Sequence, residues 1–295
     1  MTFVVKLNSA EMDAFEGEVR SGSFEFRSID YARFGAKGEG VSVALYNSGK
    51  CVVQGKGMEQ FVAHYLPGHE AQSPKVKKEE DAVLEFESVV VGSDESGKGD
   101  YFGPLVVAAV AFGPEYVSIM EDVTLGDSKK LSRKQIQEAS VVIKEKLPHE
   151  IVVIGPEKYN QLYAKFRNLN SLLAWAHGTA LERVLDQTQA DTIVVDKFCE
   201  EAPFRRGLKE KGNAAKLILR PRAESIPAVG AASILASEAF HRSLFFLGKE
   251  YDLTLPKGAG GQVDAAAKRL VKVRGEEILP FVAKMHFANT RKVLG

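Results

Sequence analysis

The fold is decided by residues 89–112, VVVGSDESGKGDYFGPLVVAAVAF. An apolar run, Val89–Ser93, stops at a polar, Gly-rich turn, and Leu105–Phe112 is then apolar almost without interruption. Short apolar runs of this kind are typical of strands that are covered on both faces of a sheet. The stretch therefore predicts two buried strands joined by a loop that carries the polar residues.

The chain beyond this stretch alternates between helical and extended patterns. Apolar spacing predicts three helical regions, at Ser132–Leu147, at Glu157–Thr188 with an interruption near Asn168–Asn170, and at Ser225–Leu247. Shorter apolar runs predict strands at Ile151–Ile154, Thr192–Asp196 and Leu217–Leu219. This alternation predicts an α/β fold, with a mixed sheet flanked by helices.

The N-terminal part has a different pattern, which predicts a small α+β unit. A strand is predicted at Thr2–Leu7 and a helix at Ser9–Val19, with Ser9 as its N-cap. Three strands follow at Ser23–Ser28, Val41–Tyr46 and Lys50–Gln54, and a helix at Met58–Leu66 ends the unit. Residues 67–87, PGHEAQSPKVKKEEDAVLEFE, are highly charged and contain two prolines, which predicts a linker. We therefore expect a domain at 1–66, a linker at 67–87 and a second domain at 88–295.

Composition restricts the class of protein further. The 295 residues hold 39 Lys and Arg against 39 Asp and Glu, and a net charge of zero argues mildly against nucleic acid or an anionic membrane as partner. The two cysteines, Cys51 and Cys199, form no CxxC pair, which argues against a disulfide framework or a zinc site. No apolar stretch approaches the ~18–20 residues of a membrane span. We expect a soluble, cytoplasmic protein.

Two consecutive carboxylates, Asp94 and Glu95, follow the first buried strand. Such a pair at a dry strand end would repel unless a cation shared it, and hard cations such as Mg²⁺ prefer oxygen ligands. Gly97 and Gly99 leave the backbone bare, so that its N–H groups can approach a phosphate or a sugar hydroxyl. The alternative is an exposed acidic turn, because Asp, Ser and Gly are common in turns.

Two further carboxylates occupy comparable positions. Asp196 ends the apolar run Thr192–Val195, and Glu224 precedes a helix rich in small residues. The small residues would let that helix pack closely on the sheet and bring Glu224 towards the strand ends. A helix N-cap for Asp196 and a favourable helix dipole for Glu224 are the alternatives.

Four sequence blocks together resemble type 2 ribonucleases H. They are DESGKGDYFGPL, DSKKLS at residues 127–132, the strand-end Asp196, and AESIPAVGAASILA at residues 223–236. Lys-Gly-Asp in the glycine-rich loop and a Glu as the fourth acid resemble the ribonuclease HIII branch. That branch also carries a preceding domain that resembles half of a TATA-binding protein, and the N-terminal unit fits this description.

The resemblance implies a ribonuclease H fold and an endonuclease that cleaves the RNA strand of RNA–DNA hybrids. It implies two-metal-ion catalysis with Mg²⁺, for which Mn²⁺ can substitute, and products with 5′-phosphate and 3′-hydroxyl ends. The catalytic, metal-binding acids would be Asp94, Glu95, Asp196 and Glu224. Residues that contact 2′-hydroxyls or the nucleic-acid backbone would be Gly97, Lys98, Gly99, Ser128 and Lys129. We expect a monomer without a membrane partner.

Two other functions stay open at this point. One is cleavage at single ribonucleotides embedded in DNA, as in ribonuclease HII, and the other is a catalytically silent hybrid-binding protein. Basic stretches flank the acids, since residues 197–222 hold eight Lys and Arg against three Glu, and residues 257–295 hold eight against three acids. These stretches could bind phosphates around an acidic centre, although charged runs are often only solvated helix faces.

For several other residues a structural role competes with a functional one. Asp127 is expected to be a cap or a partner for lysines, and His177 a packed or hydrogen-bonded core histidine; for His286 no partner can be named. The N-terminal unit could bind the hybrid through its sheet or mediate protein–protein contact. Candidates for stacking and phosphate contacts there are Lys6, Phe24, Phe26, Arg27, Tyr31, Arg33, Lys50 and Lys56.

Overall fold

The structure, a computed structural model, describes residues 2–29, 31–69, 88–120, 123, 128 and 131–295. The chain divides into two compact units, Met1–Ala82 and Val83–Gly295. No helix within the described ranges is both long enough and apolar enough to span a membrane. Most of the expected linker, residues 70–87, lies outside the described residues, as do Asp127 and Lys129.

The first unit is one antiparallel sheet with two helices. The strands are β1 Thr2–Lys6, β2 Glu25–Arg27, β3 Ala32–Gly38, β4 Val41–Tyr46 and β5 Lys50–Gly55, in the order β1-β5-β4-β3-β2, and the helices are α1 Ser9–Ser21 and α2 Met58–Tyr65. Strand β3 is not predicted from its sequence, ARFGAKG, because its glycines and alanines do not favour strands. The N-cap of α1 is Asn8, not Ser9, because its side chain and that of Glu11 form a reciprocal capping box.

The helices of the first unit cover one face of its sheet. Phe15 of α1 packs against Phe34 of β3 and against Phe61 of α2, with ring centroids 6.1 and 6.2 Å apart. On β1, Phe3 and Val5 point into this core, while Val4 and Lys6 are exposed on the other face. The other face of the sheet is therefore open to solvent along β1.

The second unit contains a mixed sheet between two layers of helices. The strands are β6 Val90–Ser96, β7 Leu105–Phe112, β8 His149–Ile154, β9 Thr192–Asp196 and β10 Lys216–Arg220. The helices are α3 Arg133–Lys146, α4 Pro156–Phe166, α5 Leu169–Leu185, α6 Glu201–Arg205, α7 Glu210–Ala214, α8 Pro227–Glu250, α9 Gly261–Arg274, α10 Leu279–Val282 and α11 Ala288–Leu294. The strand order is β10-β9-β6-β7-β8, which confirms the expected mixed sheet.

Strand direction decides which loops meet at one edge. Strands β6, β9 and β10 are parallel, and β7 runs antiparallel to both β6 and β8. The carboxyl ends of β6, β8, β9 and β10 therefore share one edge of the sheet. Alternate side chains of β7 enter two separate cores, one with α3 and α8 and the other with α5, so α8 and α5 lie on opposite faces.

Helix α8 packs on β6 at very short range. A β-carbon at Gly92 would lie 2.5 Å from the carbonyl carbon of Ala228 and 2.5 Å from the amide nitrogen of Val229. This contact requires glycine on the strand and small residues on the helix, as the sequence of α8 led us to expect. Strand β6 continues to Ser96, beyond the predicted end at Ser93, because its pairing with β7 continues to Ser96 and Val106.

Candidate active site

Two aspartates stand side by side at the shared edge of the sheet. The last registered pair between β6 and β9 is Ser93 with Val195, and the next residue on each strand is Asp94 and Asp196. Because these strands are parallel, the two carboxylates enter the same region. The sequence predicted this proximity only on condition that the strands were neighbours.

Asp94 is in an environment that disfavours its ionised form. Burial raises the pKa of Asp94, and the negative charges of Glu95 and Asp196 raise it further. Hydrogen bonds from Ser233 and from the backbone N–H of Glu95, the latter at 2.8 Å, oppose this only in part. A cation bound between these oxygens would relieve the repulsion.

The Glu95 side chain lies on the face of the sheet opposite to that of Asp94, because successive residues of a strand point to opposite faces. Its Oε2 lies 3.1 Å from Nε2 of His177 on α5, and its Oε1 accepts a hydrogen bond from Lys98 Nζ at 3.2 Å. Burial acts to raise the pKa of Glu95, but the His177 hydrogen bond and Lys98 outweigh it, and the pKa is lowered. The environment therefore favours the ionised form of Glu95 and disfavours that of Asp94.

Asp196 and Glu224 are joined through a short turn. The backbone N–H of Ala223 donates to Asp196 Oδ1 at 3.3 Å. Glu224 is the next residue, in the single 3₁₀ turn Ala223–Ser225 that precedes α8. Both acids are half-buried. The alternative role of Asp196 as a helix N-cap does not apply, because Glu200 occupies the N-cap position of α6.

The loop from Gly97 to Gly103, here called the glycine loop, follows β6. Gly97 has a φ of +87°, and a β-carbon there would lie 2.2 Å from the carbonyl oxygen of Pro104. Gly99 is exposed, and a β-carbon there would meet nothing within 4 Å. The fold itself thus requires glycine at position 97, whereas Gly99 leaves open surface beside the carboxylates.

A buried lysine anchors the far side of the glycine loop. Lys284 is fully buried, and its Nζ donates to the carbonyl oxygens of Asp100 and Gly103, both at 2.8 Å. The Asp100 side chain accepts from the N–H of Gly258 at 2.6 Å. The loop is therefore fixed to the C-terminal segment by contacts that no sequence spacing indicates.

Ser128 lies close to the same centre. Its Oγ lies 2.9 Å from Oγ of Ser233, the hydroxyl that is also hydrogen-bonded to Asp94. Ser128 is thus two hydrogen bonds away from a proposed metal ligand. Lys129, predicted with it, lies outside the described residues.

The donor set suits a hard divalent cation. Four carboxylates approach one sheet edge, and the pKa of Asp94 is raised by burial and by its neighbours. Within the described ranges, no group of three or more His, Cys, Asp or Glu side chains is arranged to hold a metal ion as the side chains stand. The half-buried Asp196 and Glu224 would therefore have to rotate towards Asp94 when an ion binds.

His177 belongs to the site, although the sequence suggested only a core histidine. It is fully buried between Phe198 and Phe204, and its Nδ1 lies 2.8 Å from Ser93 Oγ. The expectation that it is hydrogen-bonded is confirmed. No sequence signal places it against Glu95, because that depends on how α5 packs on β6. His286 stacks on Tyr163, with centroids 4.1 Å apart.

The predicted nucleic-acid contacts of the first unit are not all free to bind. Phe26, Tyr31, Lys6 and Lys50 are exposed, and Lys6 is paired with Lys50 across β1 and β5. Phe24 instead packs against Phe61 and Tyr65, at 5.6 Å from each ring. It is therefore committed to the interior and not free to stack on a base.

Two protein-family models match the chain, one in each of its two parts. Residues 91–290 match the model described as Ribonuclease HII, and residues 2–79 match a domain of unknown function (DUF3378). The first match covers more than half of the chain.

Relatives match the chain over nearly its full length. Ribonuclease HIII of Chlamydia pneumoniae is 37% identical, over 97% of this chain and 95% of the relative, and that of Protochlamydia amoebophila is 37% identical, over 99% and 97%. Among solved structures, Bst-RNase HIII in complex with Mn²⁺ aligns at a TM-score of 0.68 with 31% identity, covering 100% of this chain and 98% of the other. Aquifex aeolicus RNase H3 aligns at 0.57 with 29% identity, covering 96% and 98%.

Proposed function

This chain belongs to the ribonuclease HIII family, and we propose that Asp94, Glu95, Asp196 and Glu224 are its catalytic, metal-binding acids. The chain is an endoribonuclease that cleaves RNA in RNA–DNA hybrids, and it depends on a divalent metal ion. We infer that Mg²⁺ serves in this role and that Mn²⁺ can replace it.

The observation that carries this assignment is the register of β6 and β9. It places Asp94 beside Asp196, and the Ala223 N–H bond to Asp196 brings the Glu224 turn to the same edge. The raised pKa of Asp94, caused by burial and by Glu95 and Asp196, supports a site that is completed by a cation. An exposed acidic turn would not show that shift.

Each residue has a defined part in the proposed reaction. Bound divalent ions would activate the attacking water and stabilise the leaving 3′-oxygen, so that a 5′-phosphate and a 3′-hydroxyl result. Lys98 and His177 hold Glu95 in one orientation, and Ser233 holds Asp94. The open backbone at Gly99 would approach 2′-hydroxyls of the RNA strand, which distinguish RNA from DNA. Gly97, Lys98, Ser128 and Lys129 complete the proposed substrate contacts.

We assign substrate binding to the N-terminal unit, residues 1–66, followed by a linker at 67–87 and the catalytic domain at 88–295. Support comes from the exposed face of its sheet, where Lys6 and Lys50 are neighbours. Deletion of residues 1–66 should raise KM for the hybrid several-fold and leave kcat nearly unchanged. An unchanged KM would favour a protein–protein role. The likeness to half of a TATA-binding protein, the monomeric state and the cytoplasmic location stay predictions.

Cleavage of end-labelled duplexes tests the assignment. The full-length protein is incubated with a continuous RNA–DNA hybrid, with DNA that contains one ribonucleotide, and with plain DNA, each with Mg²⁺, Mn²⁺ or a chelator. We expect internal cleavage of the hybrid with either ion, none with chelator, and 5′-phosphate ends. Preferential cleavage at the single ribonucleotide would instead establish the ribonuclease HII-like specificity.

A further inference from the structure

A cavity separate from the candidate active site lies on the second unit, along the C-terminal half of α8. Its volume is about 550 Å³, and the residues that give it its chemistry are His241, Phe245, Lys249, Asp252, Lys257 and Arg269. None of them is among the proposed catalytic acids or substrate contacts. We call it the α8 cavity.

The cations of the α8 cavity lack carboxylate partners. Lys249 lies over the ring of Phe245, at 5.0 Å from its centroid, and Lys257 Nζ lies 3.1 Å from Nε2 of His241. Within the described residues, Lys249, Lys257 and Arg269 form no ion pair, although one acid, Asp252, also lines the cavity. Three unpaired cations against one acid leave a site that attracts an anion.

An exposed aromatic ring gives the cavity a second chemical character. The Phe245 side chain lines the cavity and is 56% exposed, whereas its neighbour Phe246 is 58% exposed and does not line it. An exposed ring beside cations is the combination with which proteins hold single-stranded nucleic acid, because unpaired bases stack on the ring and phosphates contact the cations. A simple inorganic anion has no planar group that could stack on this ring.

The α8 cavity adjoins the glycine loop through Lys257. The next residue, Gly258, donates its N–H to Asp100 Oδ1 at 2.6 Å, and its carbonyl accepts the N–H of Tyr101 at 2.9 Å. Lys257 Nζ also lies 5.8 Å above the ring of Phe240, the ring that a β-carbon at Gly97 would meet at 2.8 Å. A strand that lies on the glycine loop can therefore continue into this cavity.

We propose that the α8 cavity binds one strand of the hybrid where it extends, unpaired, beyond the glycine loop, with one base stacked on Phe245 and a backbone phosphate held by Arg269 and Lys249. The inference rests on the proposed function, because it takes the hybrid as the bound molecule. It adds a binding site remote from the carboxylates, which would act on affinity and leave the chemical step unchanged.

Two neighbouring phenylalanines provide a matched test. Binding of a fluorescent RNA–DNA hybrid with a single-stranded overhang to full-length Phe245→Ala and Phe246→Ala is measured by anisotropy in the presence of a chelator. Loss of one stacked base should weaken binding by about tenfold in Phe245→Ala, and Phe246→Ala should stay within about twofold of the wild type. Equal affinities of the two variants, each with an unchanged thermal midpoint, would overturn the proposal.

A second pair tests the phosphate contact. Arg269 lines the cavity, and the adjacent, exposed Lys268 does not. The slope of log affinity against log salt should fall by about one in Arg269→Ala and stay unchanged in Lys268→Ala. An unchanged slope in Arg269→Ala would contradict a phosphate contact.

Steady-state cleavage separates this proposal from the assignment of the active site. Phe245→Ala should raise KM for the hybrid with the single-stranded overhang about tenfold at an unchanged kcat. If the wild-type protein did not cleave the hybrid, the proposed function would fail, whereas a normal wild-type enzyme with an unaffected Phe245→Ala variant would refute only the role of the α8 cavity.

Discussion

The imidazole Nε2 of His177 lies 3.1 Å from Oε2 of Glu95, although 82 residues separate them along the chain. An ionised carboxylate only accepts hydrogen bonds, so Nε2 carries the proton of this bond. The other ring nitrogen, Nδ1, is fixed at 2.8 Å by Ser93 Oγ. Ser93, His177 and Lys98 together leave Glu95 little freedom to rotate.

Replacement of His177 should therefore change the affinity for the metal ion. Asn reproduces the position of Nδ1 and loses the Glu95 contact, whereas Gln reproduces the position of Nε2. We expect His177→Asn to raise the Mn²⁺ concentration for half-maximal binding by about 10- to 100-fold, because the side chain that orients Glu95 is lost. We expect His177→Gln to retain most of the affinity for Mn²⁺. Calorimetric titration without hybrid measures this. Equal Mn²⁺ affinities for both variants and the wild type would refute the positioning role.

Replacement of Asp94 should reduce cleavage and yet leave the fold intact. Asp94→Asn removes a proposed ligand, so we expect hybrid cleavage to fall by at least about 100-fold with Mg²⁺. Because burial and neighbouring charges raise the pKa of Asp94, its ionised form costs stability at neutral pH, and the variant should unfold at the same or a higher temperature. The exposed Asp191→Asn serves as control. Near wild-type cleavage by Asp94→Asn would remove Asp94 as a ligand.

The two glycines after β6 should respond differently to alanine. Gly97→Ala places a side chain at a φ of +87° and against the Pro104 carbonyl, so it should lower the free energy of unfolding by about 2 kcal/mol or more. Gly99→Ala meets no protein atom within 4 Å, so stability should stay unchanged while KM for the hybrid rises. Urea unfolding and steady-state cleavage measure the two effects. A Gly99→Ala enzyme with an unaltered KM would show that no substrate atom approaches this residue.

Lys284 should make stability depend on pH. Burial lowers the pKa of Lys284 to about 7, and Asp100 opposes this only in part. The ordinary pKa of lysine is near 10.4, so between about pH 7 and that value the unfolded chain binds a proton at this residue that the folded chain does not. The contribution of Lys284 to the free energy of unfolding therefore rises with pH in this window, by at most about 1.4 kcal/mol per pH unit.

The contribution of Lys284 to stability is isolated by comparing the wild type with a variant that lacks this lysine. Urea unfolding of the wild type and of Lys284→Met is compared from pH 6.5 to 9.5, with the exposed Lys272→Met as control. We expect the stability difference between the wild type and Lys284→Met to grow in favour of the wild type as pH rises, and the Lys272→Met difference to stay constant. A constant difference for Lys284→Met would show that Lys284 remains protonated in the folded chain.

The sequence by itself predicted most of the strands and the long helices, and it identified the candidate acids. Short apolar runs predicted β6, β7 and β9, and the interruption predicted near Asn168–Asn170 falls between α4 and α5, where Asn168 is the N-cap of α5. Periodicity and capping are local properties, so the sequence carries them directly. The zero net charge was a poor guide to partner, because a sum does not report the basic stretches that flank Asp196 and Glu224.

Only the tertiary structure decided how these residues cooperate. The alternation of β6 sends Asp94 towards Ser233 of α8 and Glu95 towards His177 of α5, which depends on the helices that cover each face. Lys284 reaches the carbonyl of Asp100 across 184 residues of chain. Such contacts arise from the order of the strands and the packing of helices on the sheet, and no periodicity within a short segment encodes them.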